Sequence, residues 1–175
     1  MQFQILLIMI EPINEFQFVH PFSAIIAGPS GCGKTTFVRD ILQENEQLIS
    51  NLRGPPKVTY CYGQYQTIFE EPLLNIHSIS YIPNLPTDLS ETDILIIDDL
   101  MAELGNSRDL VKIFTKQSHH QNVSVIFIAQ NLYYQGSAMR DINLNAHHII
   151  LFENARDASQ VDCSGDRCIQ EVRQH

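Results

Sequence analysis

Eight consecutive residues near the start of the chain have the types and the spacing of a phosphate-binding loop. They read GPSGCGKT, from Gly28 to Thr35, and fit the pattern G-x-x-x-x-G-K-[ST] in full. Glycines in such a loop adopt positive φ and bring backbone N–H groups close to phosphate oxygens. The alternative is a glycine-rich turn that fits the pattern by chance. The pattern predicts that ATP binds to Gly28, Pro29, Ser30, Gly31, Cys32, Gly33, Lys34, Thr35 and Thr36.

Four side chains of this loop would have different roles. The Lys34 ammonium would reach the β and γ phosphates, so we predict that it is catalytic as well as nucleotide-binding. The Thr35 hydroxyl would be a ligand of Mg²⁺, and Thr36 is a candidate for contact with the α phosphate. Cys32 stands at a position where many small residues fit, and packing is the simplest interpretation of its thiol.

Two carboxylates end a continuous apolar run of the chain. Asp98 and Asp99 close the segment TDILIIDDL, which has the composition of a parallel strand covered on both faces. Because carboxylate oxygens suit Mg²⁺, we predict that Asp98 holds the metal together with Thr35. Asp99 is predicted to orient or deprotonate the attacking water, with Glu103 as the reserve candidate. The alternative for both aspartates is that they cap the loop that follows.

Two amides, Gln130 and Asn131, end another apolar run, VSVIFIA. About sixty residues separate Lys34 from Asp98, with at least one strand between them, and this further strand comes after. That order is typical of the ATPase division that inserts a strand between the two strands carrying the loop and the aspartates. Gln130 is then predicted to be a γ-phosphate sensor and a catalytic residue. The alternative is that both amides cap the next turn, and the role of Asn131 stays open.

Strands alternate with helices along the chain, which predicts a parallel sheet with helices on both faces. The predicted class is α/β, a P-loop NTPase with about five parallel strands. Ligands of such sheets bind at the carboxyl ends of the strands, so the polar residues that end each run should gather at one edge. The predicted strands are 22–27, 57–63, 94–98 (ILIID), 123–129 and 147–153, with SISYI as a possible edge strand. The predicted helices are about 33–47 and the segment NSRDLVKIFTKQSHH, capped by Asn106 or Ser107.

Length and charge limit the classes of protein that the chain can be. Its 175 residues suit a single domain, which we expect over 1–157, with a strand or packing arm in 1–17. A formal net charge of −9 argues against a generally basic nucleic-acid coat, although a local basic loop or a ring of subunits could still face phosphate. The opening MQFQILLIMI has no basic region and is too short to span a membrane. We expect an intracellular protein with no membrane partner.

Four cysteines are scattered through the chain, and reduced thiols are the expectation for them. Cys163 and Cys168 lie close together, with His175 nearby. Their spacing matches neither zinc-ribbon nor finger ligands, so no metal site is predicted there.

Four segments carry a resemblance to a known family. HPFSAIIAGPSGCGKTTFVRDIL, ILIIDDLMAE, FTKQSHHQNVSVIFIAQNLYYQG and MRDINLNAHHIILFENARD together resemble the genome-packaging ATPases of the HerA/FtsK superfamily. The closest resemblance is to those of Maverick/Polinton-type elements and adintovirus-like viruses, relatives of the poxvirus packaging ATPase. It covers roughly residues 18–157. It implies an ATP-driven motor, usually a homo-oligomeric ring, that moves double-stranded DNA into a capsid.

The resemblance also implies roles for single residues, a partner and a location in the cell. The loop would hold ATP, Asp98 the metal and Asp99 the water, with Gln130 as the sensor. Arg140 would be an arginine finger for a neighbouring subunit, with a solvated helix arginine as the alternative and Arg108 as a weaker candidate. The resemblance also implies a capsid or portal component as a partner. The protein would act in the host nucleus or a cytoplasmic virus factory and would be associated with the virion during assembly.

The chain departs from the family pattern after Asp157. We expect residues 158–175 to be a divergent and truncated tail, which bears on DNA engagement and ring assembly more than on nucleotide binding. Two rival functions stay open. One is a P-loop kinase that passes phosphoryl to a substrate hydroxyl, and the other is a degenerate endogenous viral copy that only binds nucleotide.

Overall fold

An eight-stranded sheet, built from described residues, lies at the centre of the protein. The computed structural model describes residues 5–8, 16–100, 108–132, 137–152 and 169–172. The strands within these ranges are β1 (Ile5–Ile8), β2 (Phe18–Val19), β3 (Ser23–Ala27), β4 (Ile49–Ser50), β5 (Lys57–Tyr62), β6 (Ser78–Ile82), β7 (Ile94–Asp98), β8 (Ser124–Ala129), β9 (His148–Phe152) and β10 (Ile169–Val172).

The order of strands in the sheet is β10-β1-β9-β3-β8-β7-β5-β6. From β9 to β6 all neighbours are parallel, whereas β1 is antiparallel to both β9 and β10. β2 and β4 pair in parallel as a separate two-stranded sheet. The predicted α/β class is confirmed, with six parallel strands where about five were predicted, because SISYI is a full strand, β6. The predicted insertion is also found, since β8 lies between β3 and β7.

The helices cover the two faces of the sheet. They are α1 (Lys34–Gln43), α2 (Asn45–Leu48), α3 (Arg108–Lys112), α4 (Ser118–Gln121) and α5 (Ser137–Asn145), with a π-helical segment Ile113–Gln117 joining α3 to α4 and a 3₁₀ turn at Thr67–Glu70. Among the described residues, no helix has the length and apolar character needed to cross a membrane.

Alternate residues of the central strands point to opposite faces, as strand geometry requires. Since both faces are covered by helices, β3, β7 and β8 are buried at every position and mostly apolar, which explains the continuous run ILII. One face packs with α1 through Ile26, Ile96, Ile128, Val38, Ile41 and Leu42. The other packs with α3, the π-helical segment and α5 through Ile25, Ile97, Phe127, Leu110, Phe114 and Ile142.

Two predictions about the elements need correction or fall outside the described ranges, and a third stays a prediction. The helix predicted over about 33–47 is divided at Glu44, whose φ of −100° and ψ of 25° are not helical. The divergent tail over 158–175 stays a prediction, and within it Ile169–Val172 forms β10 against β1. The predicted helix caps Asn106 and Ser107 lie outside the described residues.

Candidate nucleotide-binding site

The glycine-rich loop joins the end of β3 to the start of α1. Gly31 and Gly33 have φ of 75° and 94°, values that residues with a Cβ rarely adopt. A Cβ at Gly28 would lie 2.6 Å from Cβ of Phe152, so this glycine lets the loop pass close to β9. The loop conformation therefore depends on Gly28 and Gly33, which the pattern requires, and also on Gly31.

The Lys34 ammonium lies within the loop that it belongs to. Its Nζ donates hydrogen bonds of 2.8 Å to the carbonyl oxygens of Gly28 and Pro29, and it is 3.8 Å from Sγ of Cys32. Lys34 is buried, as is Cys32. The positive charge is thus held beside the backbone that the pattern assigns to phosphate binding.

Asp98, the last residue of β7, is buried and accepts two hydrogen bonds on one oxygen. Thr35 Oγ1 donates to Asp98 Oδ2 at 3.1 Å, and the Tyr60 hydroxyl donates to the same oxygen at 2.7 Å. Burial raises the pKa of Asp98 above its ordinary value, while these two hydrogen bonds and Lys34 oppose that rise. The predicted pairing of Thr35 with Asp98 is therefore present in the structure.

Asp99 has surroundings unlike those of Asp98. It is exposed, its φ is 54°, and its Oδ1 accepts a 2.9 Å hydrogen bond from Gln130 Nε2. A Cβ at Gly63 would lie 2.2 Å from the carbonyl oxygen of Asp99, so the β5 loop passes directly against this turn. The left-handed turn directs the Asp99 carboxylate to the tip of β8, where Gln130 lies.

These groups line one pocket of about 340 Å³. It brings together Lys34, Thr35, Asp98, Asp99 and Gln130, as the sequence predicted. Gln64 and Gln66, in the loop after β5, also line it and were not predicted. Only their position in the sequence could have predicted this, because they follow the carboxyl end of a parallel strand, where ligands bind. The remaining lining residues are Ser30, Gly31, Gly33, Thr36, Ile128 and Ala129.

The residues present fit a nucleotide and a magnesium ion. Two glycines with positive φ lead into the first turn of α1, where N–H groups lack helical partners and attract anions. Thr35 Oγ1 and Asp98 Oδ2 are 3.1 Å apart, and both are oxygen donors of the kind that Mg²⁺ prefers. Lys34, Gly31 and Gly33 would hold phosphate, and Thr35 with Asp98 would hold the metal.

Some predicted residues do not line this pocket. Gly28, Pro29 and Cys32 do not line it, and each accepts a hydrogen bond from Lys34 Nζ. Arg140 is exposed on α5 and Arg108 is exposed at the start of α3, both away from the pocket of their own chain. The assignment of either arginine to a neighbouring subunit stays a prediction. Glu103, Cys163, Cys168 and His175 lie outside the described residues.

Comparison with known proteins finds likeness at the level of structure. No protein-family model matches the chain, and no curated protein matches it significantly. The cytoplasmic domain of EssC superposes with a TM-score of 0.53 at 14% identity, over 99% of this chain and 43% of that one. The ATPase DotB of Legionella pneumophila gives a TM-score of 0.47 at 13% identity, over 77% of this chain and 45% of that one.

This chain therefore spans less than half the length of either solved chain. At 14% identity, the likeness to EssC is one of fold. Together with the glycine-rich loop between β3 and α1, and with β8 inserted between β3 and β7, it shows that the chain has an α/β fold of the P-loop NTPase type.

Proposed function

We propose that this protein hydrolyses ATP with the help of Mg²⁺. The observation that carries the proposal is the 2.9 Å hydrogen bond between Gln130 and Asp99, at the pocket that Lys34 and Thr35 also line. A carboxylate and an amide side by side can accept a proton from a water molecule and hold it in one orientation. Such a pair suits attack by water better than transfer to a bulky acceptor.

Each charged or polar group of the pocket has one role in this proposal. Lys34 and the loop amides bind the phosphates, and Thr35 and Asp98 hold the metal, which neutralises charge on the phosphates when bound. Asp99 takes the proton of the attacking water, and Gln130 orients that water. The exposed position of Asp99 keeps its carboxylate hydrated and accessible to water.

The work that hydrolysis drives is proposed from the sequence resemblance. We infer a subunit of a homo-oligomeric ring that moves double-stranded DNA into a viral capsid, beside a capsid or portal component. It would act in the host nucleus or a cytoplasmic virus factory. The inserted strand β8 and its terminal Gln130 support this class of motor, because both belong to the segment FTKQSHHQNVSVIFIAQNLYYQG that carries the resemblance.

Phosphate release without any acceptor tests the hydrolysis. Purified protein with ATP and Mg²⁺ should release inorganic phosphate. The Asp99→Asn variant should bind ATP but release phosphate at least about 100 times more slowly. Gln121→Ala, at an exposed amide of α4, is the matched control and should behave as wild type. Nucleotide binding without release in the wild type would favour a degenerate copy, and release only with a hydroxyl acceptor would favour a kinase.

Double-stranded DNA and mixed subunits test the motor. DNA should stimulate phosphate release, and an unstimulated rate would contradict the proposed substrate. If Arg140 acts on a neighbour, adding Arg140→Ala subunits should reduce activity more than dilution does. Arg108→Ala, at another exposed arginine, is the comparison, and a purely proportional loss with Arg140→Ala would refute its assignment.

A further inference from the structure

Tyr60 is a buried tyrosine whose hydroxyl meets the predicted metal ligand. It lies in the middle of β5, is 1% exposed, and donates a 2.7 Å hydrogen bond to Asp98 Oδ2. Its ring packs against Phe69 and Tyr81, with centroids 4.9 and 5.5 Å away. The ring fills the core as phenylalanine would, so the hydroxyl needs a separate explanation.

The strand register explains how the hydroxyl reaches Asp98. Tyr60 pairs with Ile96 across the β5–β7 ladder, and Asp98 lies two residues further along β7, on the same face. The side chain therefore extends along the sheet towards the carboxyl edge and stops at Asp98. Tyr60 does not line the pocket. Its hydroxyl bonds to Asp98 at 2.7 Å and also interacts with Thr35.

The two donors on Asp98 Oδ2 differ in what they can do. Thr35 is itself a predicted metal ligand and lines the pocket, whereas Tyr60 is enclosed by aromatic side chains and has no such second role. When the Thr35 hydroxyl turns from Asp98 to another partner, the hydrogen bond from Tyr60 still holds the Asp98 carboxylate in one orientation. Partners of this kind around metal ligands typically change metal affinity by about 10-fold to 100-fold.

We propose that Tyr60 is a positioning residue that orients the Asp98 carboxylate for Mg²⁺. The inference rests on the proposed function, since it takes Asp98 as the metal ligand. It assigns to the hydroxyl of a core tyrosine a part in metal binding, in addition to the packing of its ring.

The test compares two tyrosines of the same aromatic group. Tyr60→Phe removes the hydroxyl at Asp98 and keeps the ring. Tyr81→Phe removes a hydroxyl that interacts with Arg39 instead, from a ring stacked on Phe69 at 4.8 Å. Mn²⁺ binding in the presence of ADP, followed by electron paramagnetic resonance, gives metal affinity without turnover. ADP affinity in EDTA and the unfolding midpoint are measured beside it.

Tyr60→Phe should weaken Mn²⁺ binding by about 10-fold and leave ADP affinity in EDTA unchanged. Tyr81→Phe should leave both unchanged. In an Asp98→Asn background, Tyr60→Phe should have no further effect on Mn²⁺ binding, because its action passes through that carboxylate. This background also separates metal positioning from a general loss of core stability.

The outcomes distinguish this inference from the proposed function. If the wild type binds no Mn²⁺ with ADP, the proposed function fails, and the assignment of Tyr60 fails with it. If the wild type binds Mn²⁺ and Tyr60→Phe binds it equally well, only the assignment of Tyr60 is overturned. An equal loss in Tyr81→Phe would assign Tyr60 to packing alone, and a further loss in the Asp98→Asn background would overturn the action of Tyr60 through Asp98.

Discussion

Buried polar side chains lie at the amino edge and at the carboxyl edge of the central sheet, where its strands begin and end. Their partners differ between the two edges. At the amino end of β8, buried His20 lies 2.7 Å from Ser124 Oγ and accepts a 2.9 Å hydrogen bond from Asn122 Nδ2. The backbone N–H of Phe22 also donates to Ser124. With Nε2 as acceptor, Nδ1 of His20 carries the proton and donates to Ser124. In this network His20, Ser124, Asn122 and the Phe22 N–H bond to one another.

At the carboxyl edge, polar groups also contact each other, but they surround a pocket. Lys34, Asp98, Asp99 and Gln130 all line the same space of about 340 Å³. The difference teaches that a group of histidine, serine and amide side chains is not by itself a site. At the amino edge such groups satisfy one another and hold loops together, whereas at the carboxyl edge they lie where a ligand can reach them. The following predictions separate the two edges.

The largest effect is expected for Lys34→Ala. Removing an ammonium that would make two charge-assisted hydrogen bonds to phosphate should weaken ATP binding by about 1,000-fold. Fluorescent nucleotide titration measures the affinity, and the unfolding midpoint measures the separate cost of losing the hydrogen bonds to Gly28 and Pro29. Unchanged affinity would contradict the role of the loop.

The next effect distinguishes the two adjacent carboxylates. Asp99→Asn should keep ATP and Mg²⁺ binding but slow hydrolysis by at least about 100-fold, because the proton acceptor is lost. Asp98→Asn should instead raise the Mg²⁺ concentration needed for half-maximal activity. Metal titrations of both variants measure the contrast. The assignment would be reversed if Asp99→Asn, rather than Asp98→Asn, changed the requirement for Mg²⁺.

At the amino edge, His20→Ala should reduce stability and not chemistry. The change removes the ring partner of Asn122 and leaves Ser124 with only the backbone N–H of Phe22. It also opens a cavity, so the free energy of unfolding should fall by about 2 to 3 kcal/mol. Denaturant unfolding measures it, with His77→Ala at an exposed position as control. A normal stability together with lost hydrolysis would mean that the amino edge also takes part in catalysis.

A smaller effect is expected for Gln130→Ala. Because Gln130 orients water and does not accept its proton, the rate of hydrolysis should fall by about 10-fold while ATP affinity stays nearly constant. Gln121→Ala, at an exposed amide before the amino end of β8, should change neither. If Gln130→Ala lost binding and hydrolysis equally, Gln130 would have a structural role.

The smallest effect is a pH dependence of stability at the amino edge. Burial, with a smaller contribution from His147, lowers the pKa of His148 to about 4, beside the rings of Phe18 and Phe22. Below its unfolded pKa of about 6.5, the unfolded chain binds more protons than the folded one, so stability falls as pH decreases towards 4. His148→Leu should remove about 1 to 2 kcal/mol of this fall.

Unfolding free energies between pH 4 and pH 7 measure that dependence. His77→Leu, at an exposed histidine, should leave the slope as it is in the wild type. An unchanged slope in His148→Leu would show that other groups carry the acid sensitivity.

Much of the fold was predictable because its signals are local. Apolar or β-branched runs that end in glycine or polar residues identified β3, β5, β7, β8 and β9, and their alternation with helices predicted a parallel sheet. β10 was missed since its residues, IQEV, have no such run. β2 and β4 are two residues each, too short for any period to appear. These pairings depend on contacts between distant parts of the chain.

The residues of the site divide in the same way, into those with a local sequence signal and those placed by contacts between distant segments. The sequence by itself determined the phosphate loop, the paired aspartates and Gln130, because each is a residue type at a fixed place beside an apolar run. Only the tertiary structure decided that Tyr60 lies 2.7 Å from Asp98, and that Gln64 and Gln66 face the pocket. Strand register and the path of the β5 loop set those contacts, and register arises from packing across the sheet, which no single segment of the chain contains.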